Sequence, residues 1–258
     1  MPFLTIRGAN LHYLEAGAGK PILCFHSTPA SAEFYRPQLE FFADRYRVIA
    51  VDLRGHGASD KPRGAYSIAA FLDDYRALIG ALALKDFVLV GCSVGGIVAQ
   101  LYALEHSATL RGLVLIGAPC SRRGRDVADF HRAVQEKGWE AVVRGLVDKQ
   151  LHPSAGAAVK AWAVSEYLKT PLYVREAEEA ALLAEVHHTD RVQDIAVPTL
   201  LVAGEAEERE IQDQMALMAQ RIPGAEHHSV SGAAHMPNFE RPAEFNAILT
   251  RFLAKIAY

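Results

Sequence analysis

The sequence has few of the residues that build metal sites and disulfide frameworks. Only three of its 258 residues are cysteines, and Cys24, Cys92 and Cys120 lie far apart in apolar surroundings. The sequence contains no C-x-x-C pair and no Cys/His spacing typical of a zinc site. We therefore expect three small buried thiols in a reducing compartment, and neither a metal nor a cofactor.

The sequence also lacks a charge excess and a long apolar run. Its 27 Lys and Arg residues face 30 Asp and Glu residues, which excludes the strongly basic surface typical of nucleic-acid binding. The one dense basic cluster, Arg122, Arg123 and Arg125, is expected to be a solvated loop. No apolar stretch approaches a membrane span, and the first residues do not resemble a signal peptide. We expect a cytoplasmic protein that binds neither nucleic acid nor membranes, and a homodimer is left open.

Apolar strand-like segments alternate with helical segments through most of the chain. The main strand candidates are residues 21–26, 46–52, 87–91, 113–117 and 197–204. They are apolar throughout rather than alternating, which is typical of strands covered by helices on both faces of a sheet. The pattern predicts an α/β fold with a mostly parallel, doubly wound sheet.

The alternation stops between residues 121 and 196. This stretch is charged, helix-prone and without a convincing strand, so it predicts a helical insertion after the sixth strand. The core is then expected over residues 1–120 and 197–258. Such an insertion would cover the carboxyl ends of the strands, where open α/β folds bind ligands. Within the insertion, the adjacent His187 and His188 are expected at the surface.

The run GCSVG at residues 91–95 matches G-x-S-x-G, directly after a predicted strand and before a predicted helix. This context is typical of a nucleophile elbow, in which the central residue sits on a sharp turn. The motif makes Ser93 the candidate nucleophile and turns its neighbour Cys92 into the fold. The alternative is a glycine-rich turn that only packs tightly. The spacing fits neither a dinucleotide-binding loop nor a phosphate-binding P-loop.

A serine nucleophile needs a base, and the base needs a carboxylate to orient it. His235 is the best-placed histidine, because it lies in a loop of small residues after the last predicted strand. The carboxylate is expected after the strand at 199–203, where four acids crowd one loop: Glu205, Glu207, Glu208 and Glu210. At most one of them is expected to contact His235.

Five ordered motifs extend over nearly the whole chain: HSTP at 26–29, DLRGHGAS at 52–59, GCSVGG at 91–96, VAGEAE at 202–207 and GAAHMPNFERP at 232–242. With these motifs the chain resembles the α/β-hydrolase superfamily, specifically its small esterase and lactonase branch with a helical cap. Its motifs and its compact cap most resemble those of 3-oxoadipate enol-lactonases and small arylesterases. We expect the second motif to be structural, with Asp52 a hydrogen-bonded residue at a strand end.

The resemblance implies a complete set of catalytic positions. The family acid lies three residues after the glycine that ends its strand, which selects Glu207, although the family usually has Asp there. Glu208 and Glu205 remain alternatives. Position matching makes the backbone N–H groups of Val94 and Thr28 the oxyanion-hole donors.

The resemblance also suggests where substrate binds. In the loop after the third strand, Ser27 replaces the glycine of the family's usual His-Gly-x pattern, and its hydroxyl either lies near the substrate carbonyl or is simply tolerated. In the cap, Trp139 and Trp162 are candidate lining residues of an apolar pocket.

The implied function is hydrolysis of a small carboxylic ester or lactone through an acyl-enzyme on Ser93. Two alternatives stay open: hydrolysis of a C–C bond of the meta-cleavage type, and binding of a small ligand without catalysis.

Overall fold

The computed structural model describes residues 2–64, 66–122 and 127–258. Its centre is a sheet of eight strands in the order β1-β2-β4-β3-β5-β6-β7-β8. The strands are β1 Phe3–Ile6, β2 Ala9–Ala16, β3 Pro21–Phe25, β4 Arg47–Val51, β5 Phe87–Cys92, β6 Leu110–Ile116, β7 Thr199–Gly204 and β8 Glu226–Val230. Only the pairings of β1 with β2 and of β2 with β4 are antiparallel. The predicted mostly parallel sheet is confirmed.

Both faces of the sheet are covered, which explains why its central strands carry apolar residues at every position. Leu23, Leu89 and Leu113 belong to one buried cluster. Their chain neighbours Cys24 and Val90 belong to a second buried cluster. Successive side chains of a strand point to opposite faces, so each cluster lies on one face of the sheet.

The helices divide between the two faces. Helices α2 (Ile68–Ala81), α3 (Val94–His106) and α8 (Arg209–Arg221) contribute buried side chains to the first cluster, and α1 (Arg36–Phe42) and α10 (Pro242–Lys255) contribute to the second. A four-residue helix, α9 (Pro237–Glu240), precedes α10. This arrangement confirms the doubly wound architecture.

The segment after β6 forms the helical cap. Its helices are α4 Val127–Lys137, α5 Trp139–Gln150, α6 Ala157–Tyr167 and α7 Leu172–Glu185. The two ends of the cap are paired, because the Arg122 N–H donates to the Val186 carbonyl (3.0 Å) and the His188 N–H donates to the Cys120 carbonyl (3.2 Å). The insertion of a helical cap after the sixth strand is confirmed, and the exact boundaries of 121–196 stay a prediction.

All three cysteines are free and buried, as their apolar surroundings predict. No helix in the described part of the chain is long and apolar enough to cross a membrane.

Candidate active site

Ser93 occupies the tight turn between β5 and α3. Its φ of 49° and ψ of −116° are a conformation that side-chain-bearing residues seldom adopt. Its N–H donates to the Ile116 carbonyl (2.9 Å), and its carbonyl accepts from the Ile97 N–H (2.8 Å). The turn is therefore fixed at the carboxyl end of the central strands, and strain of this kind persists where the surroundings enforce it.

The glycines of the motif let this turn close. A Cβ on Gly91 would lie 2.5 Å from the Gly95 carbonyl oxygen, and a Cβ on Gly95 would lie 2.5 Å from that of Phe25. Neither position has room for a side chain. The G-x-S-x-G spacing therefore reflects real close approaches of strand and helix.

Cys92, the other reactive residue type in the motif, is directed into the fold. It is the last residue of β5, and its buried Sγ lies 3.8 Å from the carbonyl oxygen of His235. Burial raises the pKa of the Cys92 thiol well above its usual range, so the thiol stays protonated. Only the thiolate is a good nucleophile, so the structure gives Cys92 no nucleophilic character.

Glu207 is the loop acid that the fold brings to His235. Its Oε2 lies 2.7 Å from His235 Nδ1, and its Oε1 accepts the Glu208 N–H (2.9 Å). An ionised carboxylate can only accept, so Nδ1 carries the hydrogen and Nε2 is left as the basic nitrogen. Glu208 is exposed, and exposed Glu205 accepts a hydrogen bond from the Ser231 hydroxyl instead (2.6 Å).

Backbone pairing aligns the two loops that carry Glu207 and His235. The Gly204 N–H at the end of β7 donates to the Ala234 carbonyl (3.1 Å), and the Ala206 N–H donates to the Ala233 carbonyl (3.0 Å). The His235 N–H donates to the Gln150 carbonyl at the end of α5 (3.0 Å). The histidine loop is therefore held both by the sheet and by the cap.

The electrostatic environment favours a charged His235. Burial lowers the pKa of His235, but the negative charge of Glu207 and the hydrogen bond to it raise the pKa by more, so the net shift is upward. The carboxylate thus stabilises the imidazolium that forms whenever His235 accepts a proton.

Gly117, which sequence reasoning passed over, makes room for this contact. It follows β6 with a φ of +49°, and a Cβ there would lie 2.6 Å from Glu207 Oε2 and 3.1 Å from His235 Nδ1. The only sequence signal is that a glycine directly follows the apolar run LVLI at residues 113–116. Its significance depends on two residues that are distant in sequence.

A cavity of about 90 Å³ opens between the sheet and the cap at Ser93. Its core-side lining includes Ser93, Val94, Thr28, His235 and Glu207. The lining also includes Leu146, Lys149, Gln150, Arg175, Glu179 and Leu182 from the cap helices. The cavity is well below the roughly 300–1,000 Å³ of sites for drug-sized ligands. The structure thus brings the predicted nucleophile, base, acid and oxyanion-hole residues to one small cavity.

The three predicted substrate-binding residues are not among the described residues that line this cavity. The Ser27 hydroxyl is buried and faces the Met236 sulfur (3.7 Å). The Trp162 ring packs against Phe34 and Phe239, with centroid distances of 4.9 and 5.2 Å. Trp139 packs edge-on against Phe130 (6.3 Å). The two indoles therefore pack with other aromatic side chains.

Two expectations about single residues need correction. Arg122 was expected in a solvated loop, but it is partly buried and lines the cavity. Arg123 and Arg125 lie outside the described residues. His188 is buried rather than at the surface, and its Nε2 lies 2.9 Å from Oε1 of buried Gln100. His187 is exposed as expected.

Asp52 has the structural role that its motif suggested. Its carboxylate accepts the N–H groups of Ala32 (2.6 Å) and Ala58 (2.8 Å) and lies 2.7 Å from His12 Nδ1. It thereby joins the turn after β4 to Ala32, which lies three residues after the HSTP motif. Within the described residues, no group of three or more potential metal ligands comes together.

Known proteins share this fold and this chain length. The family model described as alpha/beta hydrolase fold matches residues 20–242. A putative carbamate hydrolase of Azorhizobium caulinodans is 29% identical, with 99% of each chain covered. A 3-oxoadipate enol-lactonase of Acinetobacter baylyi is also 29% identical, with 96% of each chain covered.

A solved structure extends the similarity to three dimensions. The structure of an N-acyl homoserine lactone degrading enzyme is 30% identical, with a TM-score of 0.88, and the match covers 97% of this chain and 100% of that one. The predicted resemblance to a hydrolase family with esterase and lactonase members is confirmed. The chain belongs to the α/β-hydrolase fold family.

Proposed function

We propose that this protein is a serine hydrolase that cleaves a small carboxylic ester or lactone through an acyl-enzyme on Ser93. The observation that carries the proposal is that Ser93 and His235 line one cavity, while Glu207 lies 2.7 Å from Nδ1 of the same histidine. Relatives named as an enol-lactonase and as a lactone-degrading enzyme support the ester and lactone class.

The proposed reaction has two halves. His235 Nε2 takes the proton of Ser93 Oγ while Oγ bonds to the substrate carbonyl carbon. The N–H groups of Val94 and Thr28 donate to the oxyanion, and each such donor contributes several kcal/mol to lowering the barrier, about 3–4 in a measured case. The tetrahedral intermediate then expels the alkoxide, which takes the proton from His235. Water then gives a proton to His235 and attacks the acyl carbon. When this second tetrahedral intermediate collapses, the bond from the acyl carbon to Ser93 Oγ breaks and Oγ takes the proton back from His235, which releases the acid and free Ser93.

Glu207 has an orienting and electrostatic role in this scheme. It holds the Nδ1–H tautomer, so that Nε2 faces the reaction as a base, and it stabilises the imidazolium without itself taking the proton. The cap tryptophans and Ser27 have no step in this scheme.

The cavity size suggests a short acyl group. A volume of about 90 Å³ leaves space for only a few non-hydrogen atoms beside Ser93. We expect p-nitrophenyl acetate and butyrate, and small lactones, to be turned over faster than p-nitrophenyl decanoate. Equal or faster turnover of the decanoate would contradict the size argument.

Ser93→Ala is the decisive variant, and Cys92→Ala is its matched control. Ser93→Ala should abolish turnover and labelling by a fluorophosphonate, whereas Cys92→Ala should retain both. Wild-type labelling should map to the peptide that contains Ser93. Turnover that survives in Ser93→Ala would remove Ser93 from the mechanism, and absent labelling in the wild type would favour a ligand-binding protein.

A further inference from the structure

The cap is hydrogen-bonded to the oxyanion loop, defined here as residues 27–31. Three cap residues each contact one residue of this loop. Glu166 lies in α6, Arg175 lies in α7, and Thr170 lies in the turn between these helices. The pairs are Arg175 Nη1 to Thr28 Oγ1 (3.0 Å), Thr170 Oγ1 to the Pro29 carbonyl (3.3 Å) and Ser31 Oγ to Glu166 Oε2 (2.8 Å). All six residues except Pro29 have a buried polar side chain. The loop is therefore attached to the cap through buried polar contacts along most of its length.

Arg175 is the cationic member of this set. Its side chain is only 4% exposed, and its Nη1 also donates to Glu178 (2.9 Å) while its Nη2 pairs with Glu179. Glu178 Oε1 in turn lies 3.1 Å from His56 Nε2 in the DLRGHGAS turn. A buried chain of charged and polar groups therefore runs from the core turn through the cap to Thr28.

The other side of the loop is fixed by the core. His26 Nε2 accepts the Leu53 N–H (3.0 Å), so its Nδ1 carries the hydrogen and donates to the Ser27 carbonyl (2.7 Å). Thr28 is thus held between a backbone contact at Ser27 and a side-chain contact at Arg175. Its hydroxyl accepts from Arg175. Its backbone N–H has no acceptor among the described residues, and Thr28 lines the cavity.

We propose that Arg175 is a positioning residue that sets the direction of the Thr28 N–H by holding the Thr28 hydroxyl. The inference rests on the proposed function, since it assigns Thr28 to the oxyanion hole. A buried guanidinium paired with two glutamates holds a fixed position, because moving it would separate charges in a medium that screens them weakly. Preorganised donors of this kind stabilise the transition state without reorganising during the reaction.

The competing role for Arg175 is direct binding of an anionic group on the substrate. Arg175 does line the cavity, and its buried Nε has no hydrogen-bond partner among the described residues. Both of its terminal nitrogens, however, have acceptors in Thr28, Glu178 and Glu179. Direct binding would act mainly on KM, and only for substrates with a negative charge. Positioning of a donor would act on kcat for neutral esters, because the oxyanion forms only in the transition state.

The test uses Thr28→Val, Arg175→Lys and the double variant, assayed with a neutral p-nitrophenyl ester. Thr28→Val keeps the shape and the backbone N–H of residue 28 and leaves the ion pairs of Arg175 intact. Lysine keeps the positive charge but replaces the two terminal nitrogens of the planar guanidinium with a single ammonium nitrogen, so it does not reproduce the geometry of the contacts to Thr28, Glu178 and Glu179. Arg144→Lys is the matched control, because Arg144 is a cap arginine paired with Glu140 (2.6 Å) but 59% exposed.

We expect each single variant to lower kcat by about tenfold to a hundredfold with KM within about threefold. The double variant should lose no more than the worse single variant, because both substitutions break the same contact between Arg175 and Thr28. Arg144→Lys should match the wild type. A kcat within about twofold of wild type in Arg175→Lys, additive losses, or a rise in KM confined to carboxylate-bearing esters would each overturn the proposal.

Hydrogen–deuterium exchange provides a readout that does not depend on turnover. The peptide covering the oxyanion loop should exchange at least about threefold faster in Thr28→Val and in Arg175→Lys than in the wild type or Arg144→Lys. Unchanged exchange in both variants would overturn the positioning role even if activity fell. If the wild type has no esterase activity but the loop exchanges faster in both variants than in the wild type, the proposed function is refuted. The contact between Arg175 and Thr28 is then still supported.

Discussion

Gly117→Ala is expected to separate Glu207 from His235 while leaving both residues in the chain. The added Cβ would lie 2.6 Å from Glu207 Oε2, whereas unstrained carbon contacts are roughly 3.5 Å or longer. The carboxylate must therefore withdraw by about 1 Å. A hydrogen bond that starts at 2.7 Å would then lie outside normal hydrogen-bonding distance.

The size of the effect follows from this displacement. Losing the orienting carboxylate of a serine triad costs about 10⁴ in kcat in a well-studied serine protease, and a 1 Å misplacement elsewhere costs about 10². Gly117→Ala keeps a displaced carboxylate, so we expect kcat to fall by about 10², or about 2.7 kcal/mol in transition-state stabilisation. Folding stability should fall by about 1–2 kcal/mol, because residue 117 has a φ of +49°.

Gly224→Ala separates these two effects. Gly224 also has a positive φ, +69°, but a Cβ there meets nothing within 4 Å. It should therefore lose a similar amount of stability in urea unfolding and keep its kcat. The assay is steady-state hydrolysis of p-nitrophenyl acetate, with unfolding measured on the same preparations.

A compensating change tests the cause directly. Glu207→Asp shortens the side chain by one methylene, about 1.5 Å, which would clear the new methyl group. The double variant Gly117→Ala/Glu207→Asp should therefore be more active than Gly117→Ala alone. Wild-type kcat in Gly117→Ala, or a double variant no more active than Gly117→Ala alone, would refute the steric explanation.

Three further outcomes are expected. Glu207→Gln should reduce turnover far more than Glu208→Gln. It should also shift the acid limb of the kcat/KM profile to lower pH, because the Glu207 carboxylate raises the pKa of His235. An acid limb that does not shift would contradict this role of Glu207. Burial, aided by the positive charge of His56, lowers the pKa of His26 from 6.5 to about 4. The neutral imidazole of His26 therefore stabilises the fold above pH 6.5, and this stabilisation is lost as the pH falls toward 4. The free energy of unfolding should fall by about 3 kcal/mol more over that range in the wild type than in His26→Asn, and equal losses would argue against the buried neutral imidazole. Trp162→Ala should cost about 1–3 kcal/mol of stability with kcat/KM within about twofold, since its ring packs against Phe34 and Phe239; a large rise in KM would restore it to the substrate site.

Part of the site follows from neighbours in the chain. The turn at Ser93 requires small residues two positions away on each side, so its five-residue spacing predicts both the elbow and the identity of the nucleophile. The continuous apolar runs likewise predict buried parallel strands, because a strand covered on both faces has no solvent-facing positions. These are local constraints, and sequence spacing records them directly.

The choice among the acidic residues is a different problem. Glu205, Glu207 and Glu208 lie in one loop and have the same side chain, so the residue type does not distinguish them. Position matching to the family selects Glu207. In the structure, hydrogen bonds between that loop and the residues before His235 turn Glu207 inward and leave the other two exposed. The space that Gly117 leaves for this contact comes from a third segment of the chain.

The cap shows the limit of sequence reasoning most clearly. Aromatic content suggested Trp139 and Trp162 as pocket residues, yet the cavity lining includes Arg175 and Gln150 instead, and His188 is buried against Gln100. Helical spacing predicts which residues share a face of one helix, but it does not specify which neighbouring helix or loop that face will contact. The sequence by itself therefore determined the fold class, the tight turn at Ser93 and the order of the candidate catalytic positions. The tertiary structure alone decided which side chains from distant segments meet around them, because those contacts depend on the packing of whole elements.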